Sequence, residues 1–436
     1  MNMRRIVKSM IPAGLFQKIE PVGHLAESVF WNVVYGFPGR GMKVIGITGT
    51  NGKTTTSYLV HNMLVEAGYN AGLMTTVAWG VGHTIHNQVH HYTNVPVREL
   101  MQRLRTMKAD GVDWLILETT SAALAQHRTW GVPYSIAVLT NITHEHLDYH
   151  KTFERYVAAK RRLFTLTQKN EKGLQVGIAN ADDPVGESFA NETERPLLYG
   201  MESGDVRATE VKLSAGGISY KAVTSDESYF ITSPLAGSFN VYNTLAAVCV
   251  GRTIGLTKEQ IEQGIASLST VAGRMVTVKG GQPYGVVIDY AHTPDSFEKI
   301  FKDFRPTVKG KLIVMFGSAG RRDEAKRAVQ GKLAGEYADE VVLTEEDDRD
   351  CDGQAILSEI AAGAKQAGKQ RDKDLFLVHD RTEAIAFALS RAGSPDDMVL
   401  LLGKGHEKTI ERGSREDPWD ELATTKAALT AQINKL

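Results

Sequence analysis

Two cysteines, Cys249 and Cys351, are the only thiols in a chain of 436 residues. So few exclude a disulfide framework or a cysteine-based zinc site, and a reducing cytoplasm is the expected compartment. An excess of charge of one sign is also missing, since 50 Lys+Arg and 51 Asp+Glu give a formal net charge of −1. That balance gives no electrostatic footprint for nucleic acid, and none is expected as a partner. Long apolar runs are lacking too. No stretch approaches the ~20 residues that cross a bilayer, so no stable membrane insertion is expected. Hydrophobic content of 42% and charged content of 23% fit a soluble globular protein, and the length calls for two or three domains.

The richest signal is Gly49-Thr50-Asn51-Gly52-Lys53-Thr54-Thr55. It follows an apolar run, Met42 to Ile47, and precedes a helical pattern with Leu59, Val60, Met63 and Leu64. Strand, glycine loop, Lys-Thr and helix together cradle nucleotide phosphates. Backbone N–H groups face the anion at a helix N-terminus, the lysine adds charge, and the threonine hydroxyl suits a Mg²⁺ shell. The general phosphate loop begins with a glycine where this chain has Ile47, so a tighter variant is present.

Apolar strands alternate with amphipathic helices from Met42 onward, as in a parallel sheet covered on both faces. Strands are predicted at 42–48, 72–77, 114–118, 135–140 and 175–180. Short alternating runs over 206–232 predict a small antiparallel insertion. A second αβ series starts near Gly273, with strands at 286–290, 311–316, 340–344, 375–378 and 398–402. The fold class is α/β: a P-loop ATPase domain over 42–272 and a Rossmann-like domain over 273–436. Arg4, Arg5 and Lys8 precede an apolar segment broken by Lys18, Glu20, Pro21, His24 and Glu27, which makes a poor signal peptide. Residues 1–41 are instead expected to form a short helical appendage, docked on the central domain through Phe30, Trp31, Val34 and Tyr35; an interfacial helix is the alternative.

Several residues suit chemistry at strand ends. Glu118 ends the apolar strand from Trp114, where a Mg²⁺ ligand of a sheet ATPase belongs. Thr140 to His150 packs His144, Glu145, His146, Asp148 and His150 together, which suits metal or phosphate work or simple capping. Lys160 lies on a helical pattern, where pattern alone puts a lysine in solvent. Asn240 reads as an N-cap or a base contact. His83, His86, His90 and His91 cluster locally, but their Gly-, Asn- and Thr-rich surroundings argue for a loop rather than zinc.

Taken together these motifs resemble the Mur ligases, ATP-dependent amide-forming enzymes of peptidoglycan precursor synthesis, in their tripeptide-forming branch. The resemblance rests on residues 49–55, on Glu118 to Arg128 with Ala122 where histidine is common, and on Asn141 to His150. It rests further on Asp289-Tyr-Ala-His-Thr-Pro-Asp295 and Gly403-Lys-Gly-His-Glu407. It implies that Gly49, Thr50, Asn51, Gly52, Lys53, Thr54 and Thr55 bind ATP phosphates, with Asn243 on the adenine, Arg274 on the γ-phosphate and Asp289 on the ribose. Thr54, Glu118, His146 and a carbamylated Lys160 would hold Mg²⁺; Lys53, Lys160, His146 and Arg274 would be catalytic. Thr93, Asn94, Ser121 and Arg128 would face the muramoyl-peptide acceptor. Arg322, Asp347, Arg349, Gly403 and Glu407 would take the incoming amino acid.

The implied reaction runs through an acyl-phosphate that is captured by an amine, with water excluded. Thr344-Glu345-Glu346-Asp347-Asp348-Arg349-Asp350 stands where enzymes adding meso-diaminopimelate carry Asp-Asn-Pro-Arg. Arg349 matches, whereas Asp347 and Asp348 replace Asn and Pro. Diaminopimelate is the expected substrate, lysine the alternative, and a solvated acidic loop the bland reading. The family's UDP-binding first domain is far longer than the 48 residues before Gly49, so weak UDP recognition is expected. Competing readings are a related ligase for another carboxylate (folylpolyglutamate, cyanophycin or a lipid-linked glycan) and an inactive nucleotide-binding regulator. The partners expected are small molecules alone, on a monomer.

Overall fold

The computed structural model describes residues 13–88, 93–143, 147–214 and 216–434. The chain divides into two compact units, the first ending at Ser267 and the second running from Leu268 onward. Residues 212–219 and 232–241 are counted with the second.

In the first unit the strands are β1 (Lys43–Thr48), β2 (Ala71–Met74), β3 (Ala78–Val81), β4 (Thr84–Asn87), β5 (Trp114–Glu118) and β6 (Tyr134–Leu139). They continue with β7 (Val176–Asn180), β8 (Arg195–Gly200), β9 (Val206–Ser214), β10 (Gly217–Val223) and β11 (Ser228–Ser233). Their order is β11-β10-β9-β8-β7-β6-β1-β5-β2-β3-β4. β1 lies between parallel neighbours, with Ile47 opposite Glu118 and Thr48 opposite Leu139, so the glycine loop and two strand ends emerge together. Every residue of β1 after Lys43 is buried, as a strand covered on both faces requires. The β3–β4 hairpin and β8 were not predicted.

The helix Ala13–Val34 belongs to this unit. Trp31 and Tyr35 pack on its core, the Ser28 hydroxyl donates to the carbonyl of His127, and the Asn32 amide donates to that of Trp130. The expected docking face is half right. Phe30 and Val34 point outward at 58% and 53% exposure, because the polar Ser28 and Asn32 share the inner face with the aromatics.

The second unit carries β12 (Val276–Thr277), β13 (Gly285–Asp289), β14 (Leu312–Phe316), β15 (Glu340–Leu343), β16 (Leu375–Leu377) and β17 (Met398–Leu402), in the order β12-β13-β17-β14-β15-β16. Apart from antiparallel β12 the pairs are parallel. Side-chain alternation builds two cores. Val287, Val314, Val341 and Leu400 face one way with the helices Pro294–Phe304 and Gly353–Gln366, while Ile288, Met315, Val342 and Leu401 face the other. A further hairpin, β18 (Thr409–Arg412) with β19 (Arg415–Pro418), follows the last parallel strand and was also not predicted.

Candidate active site

The loop Gly49–Gly52 leads into the helix Lys53–Glu66. A Cβ at Gly49 would lie 1.8 Å from the Thr140 hydroxyl, and one at Gly52, where φ is 84°, would lie 2.3 Å from Asn243 Oδ1. Glycine is required at both positions. The loop is held from behind by the next strand end: the Thr50 N–H donates to the Asn141 carbonyl at 2.8 Å, the Asn51 N–H to Asn141 Oδ1 at 3.0 Å, and the Thr140 hydroxyl to the Asn51 carbonyl at 2.6 Å. Thr50 also shares a hydrogen bond with the Tyr156 hydroxyl. Lys53 Nζ donates to the carbonyls of Gly49 and Thr50 at 3.0 and 2.8 Å, so its ammonium is curled over the loop. Thr55 is buried just behind it in the helix.

Beside this loop the Thr54 hydroxyl donates to Glu118 Oε2 at 3.0 Å, and Glu118 is 1% exposed. Thr76, which sequence reasoning missed, donates its N–H and hydroxyl to the two carboxylate oxygens, and its hydroxyl pairs with that of Thr93. Asn94 ties the strand end down, its amide donating to the Glu118 carbonyl while its Oδ1 accepts from Thr120. Arg128 donates to the Asn94 carbonyl, and His150 Nε2 lies 2.9 Å from the Ser121 hydroxyl. Lys160 is not in solvent. It is 2% exposed and its Nζ donates to the Gly49 carbonyl at 2.6 Å, because the helix Phe153–Gln168 packs back under β1. Asn243 Oδ1 accepts from the Thr56 hydroxyl. Asn240 is not an N-cap; it lies inside the helix Ser238–Ile254 and its amide donates to the Ala236 carbonyl. His144, Glu145, His146, His90 and His91 lie outside the described residues.

A side-by-side hydroxyl and carboxylate at a helix N-terminus is a hard-oxygen donor set, so Thr54 and Glu118 fit a Mg²⁺ ion.

In the second unit Asp289 ends β13 and accepts the N–H groups of Met275 and Ala291. Burial raises its pKa, against the pull of Arg274. The Arg274 guanidinium lies 4.8 Å over the Tyr290 ring, which also meets His292 and His406. Thr293 and Pro294 then cap and start the next helix through a reciprocal Thr293–Ser296 box.

The acidic loop after β15 is buried rather than solvated, with Glu345, Glu346, Asp347 and Asp348 at 2–8% exposure. Lys404, fully buried, bridges Asp347 Oδ1 at 2.9 Å and Glu407 at 2.5 Å. Burial pulls the Lys404 pKa down, but Glu407 and Asp347 outweigh it and the net shift is upward. Glu407 is raised by burial. Arg349 donates through Nε to Glu411 at 2.9 Å and through Nη1 to the Gly320 carbonyl. A Cβ on Gly403 would lie 2.9 Å from the Glu346 carboxylate. Arg322 is exposed on the loop after β14. Glu345, Asp348 and His379 place ligand atoms within 4.8 Å of one another, yet Arg412 neutralises Glu345 and His379 bonds Asp348 at 2.6 Å. Neither Glu411 nor Arg412 was foreseen, since both sit on the unpredicted hairpin.

A glycine loop at the end of a central parallel strand and a buried carboxylate on the neighbouring strand define a P-loop, nucleotide-binding protein, here of two αβ units. Residues 47–251 match the Mur ligase middle domain and residues 273–405 match the Mur ligase, glutamate ligase domain. The chain is 41% identical over 409 residues to a UDP-N-acetylmuramyl-tripeptide synthetase of Roseiflexus sp., covering 91% of this chain and 80% of that one. It is 36% identical to the UDP-N-acetylmuramoyl-L-alanyl-D-glutamate–2,6-diaminopimelate ligase of Bacillus cereus, over 93% of this chain and 82% of the relative. A solved structure of a ligase with that same name superposes with a TM-score of 0.64 at 27% identity, covering 95% of this chain and 83% of the other. The chain belongs to the Mur ligase family of ATP-dependent peptide ligases.

Proposed function

We propose that the chain adds a diamino acid, as the third residue, to a muramoyl-L-Ala-D-Glu acceptor in peptidoglycan precursor synthesis, with ATP as the energy source. The observation that carries this reading is the convergence of Lys53, Thr54, Glu118 and Lys160 on one glycine loop. Their retention also argues against an inactive regulator. We further propose the domain limits 1–41, 42–272 and 273–436.

In this reading an oxygen of the acceptor's carboxylate attacks the γ-phosphorus of ATP, the β–γ bridging bond breaks, and ADP leaves. The amine nitrogen then attacks the acyl carbon and loses a proton, and the carbon–oxygen bond to phosphate breaks. Lys53, the loop N–H groups and Arg274 offset charge on the transferring phosphoryl group. Thr54, Glu118, His146 and Lys160, carbamylated to present an oxygen donor, would hold Mg²⁺, which supplies charge neutralisation when bound. Asn243 and Asp289 orient the nucleoside. Thr93, Asn94, Ser121 and Arg128 orient the acceptor.

The amino acid is read as meso-diaminopimelate, with Arg349 pairing its distal carboxylate and Arg322, Asp347, Gly403 and Glu407 around its zwitterionic end. One observation favours lysine instead: Arg349 already spends Nε on Glu411 and Nη1 on a carbonyl. An acceptor screen with UDP-muramoyl-dipeptide and single amino acids, scored by product mass and phosphate release, tests both. Phosphate release with no amide product from any amino acid would refute the reading.

A further inference from the structure

β2 runs parallel to β5 with Met74 opposite Leu117, so the turn after β2 arrives level with Glu118 at the end of β5. Thr75 closes that turn. Its N–H and hydroxyl donate to the Ala78 carbonyl, and its Oγ1 accepts the N–H groups of Val77 and Ala78. Thr76 is thereby fixed against the carboxylate, with its N–H on Oε2 and its hydroxyl on Oε1, both at 3.1 Å. Thr54 donates to Oε2 at 3.0 Å, so the described hydrogen-bond donors to this buried side chain are Thr54 and Thr76 alone.

The direction of the protons follows from the chemistry of the groups. An ionised carboxylate only accepts, and a hydroxyl carries one proton. Thr76 commits its proton to Oε1, so in its 2.8 Å contact with Thr93 it accepts and Thr93 donates. A chain of donors therefore runs from Thr93 through Thr76 to Glu118. Thr93 is left with lone pairs only. A ligand N–H offered to Thr93 keeps its proton aimed at Thr76, whereas a ligand carboxylate would draw that proton away and loosen the hold on Glu118.

We infer that Thr76 is a positioning residue that couples the acceptor subsite to the metal-binding carboxylate, and that Thr93 receives an amide N–H of the acceptor. This rests on the proposed placement of the acceptor at Thr93 and of Mg²⁺ at Thr54 and Glu118. Metal-binding carboxylates keep their orientation through such outer hydrogen bonds, and the links of a hydrogen-bonded chain strengthen one another.

The test is calorimetric titration of the full chain with a non-hydrolysable ATP analogue, with and without Mg²⁺, which requires neither turnover nor the amino acid. Thr76→Val keeps the backbone donor and the side-chain shape but removes the hydroxyl. It is expected to lose about tenfold of the affinity that Mg²⁺ confers, with metal-free affinity unchanged, and Thr76→Ser should restore it. Thr93→Val, which hydrogen-bonds to neither Thr54 nor the Glu118 carboxylate, should lose part of the same affinity. UDP-muramoyl-dipeptide should tighten Mg²⁺-dependent binding in the parent and leave it unchanged in Thr76→Val; by reciprocity the metal and analogue together should tighten acceptor binding by the same factor. If the parent gains nothing from Mg²⁺, the metal placement fails and the inference with it. If the parent gains but Thr76→Val gains as much, or if the acceptor weakens metal-dependent binding, the inference is overturned while the metal placement stands. Should Thr76→Val melt early, Thr93→Val decides: unchanged Mg²⁺-dependent affinity in that variant overturns the coupling.

Discussion

Lys160 Nζ lies 2.6 Å from the carbonyl oxygen of Gly49, the first residue of the phosphate loop. A buried ammonium costs free energy unless it is paired or chemically altered, and a carbamate on this nitrogen would turn the cation into an oxygen donor. Lys160→Ala is expected to lower ligation on the order of 10²–10³-fold, the loss typical of one charge-stabilising group, with the fold retained. A carbamate carbon signal from labelled bicarbonate should be present in the parent and missing in the variant. Full activity of Lys160→Ala would end the assignment.

Gly52 is expected to tolerate no side chain. Its φ of 84° and the 2.3 Å approach of a Cβ to Asn243 Oδ1 mean that Gly52→Ala must displace Asn243 or open the loop. Strain of about 1–3 kcal/mol is the usual cost of such a conformation. Calorimetry should show weaker ATP binding, and an unchanged affinity would contradict the loop's proposed role.

Much of this site was legible because its determinants are local. The phosphate loop and Glu118 at a strand end each follow from a few neighbouring residues. The central strands were legible because burial on both faces makes them continuous apolar runs. Lys160 was invisible to pattern, since only the packing of its helix under β1 decides where its ammonium goes. Glu411 was invisible for a related reason: it reaches Arg349 from 62 residues away, on a hairpin of four-residue strands with no apolar run. The N-terminal helix was legible only in part: Trp31 and Tyr35 pack on the core as expected, whereas hydrogen bonds from Ser28 and Asn32 set a rotation that turns Phe30 and Val34 outward.

Arg349→Ala is expected to raise KM for the diamino acid far more than KM for ATP. Removing the guanidinium also leaves Glu411 without its partner at 2.9 Å, so the residual defect should depend on the amino acid offered. If meso-diaminopimelate is the substrate it should lose most. If lysine is preferred over diaminopimelate by the parent protein, the arginine acts on the loop and not on a second carboxylate.

Stability should fall on acidification partly through His61. Burial lowers its pKa from 6.5 to about 4, partly opposed by the hydrogen bond at the Ala71 carbonyl. A depressed folded-state pKa gives stability that is complete above the unfolded value and is lost as pH falls through the folded one. The window therefore runs from 6.5 down to about 4, and the shift corresponds to about 3 kcal/mol. His61→Gln keeps a donor toward Ala71 but cannot titrate. Denaturant melts of the two proteins should converge as pH drops across that window; parallel curves would show that His61 is not protonated on unfolding.

Arg381 and Glu421 form a fully buried, bidentate pair, with Nε and Nη2 donating at 2.9 and 2.6 Å. The same guanidinium donates to the carbonyls of Glu345 and Leu402. It thereby fastens together the ends of β15 and β17, just before the segments that carry Asp347 and Arg349 on one side and Gly403 and Lys404 on the other. Arg381→Met strands the Glu421 carboxylate and is expected to cost about 3–5 kcal/mol. Adding Glu421→Leu removes the stranded charge and should recover much of that stability. The carbonyls of Glu345 and Leu402 would still lack their donor, so the double variant should remain impaired in KM for the amino acid. Recovery of stability and KM together would show that the pair matters for folding alone; stability without KM would show that Arg381 positions the amino-acid loops.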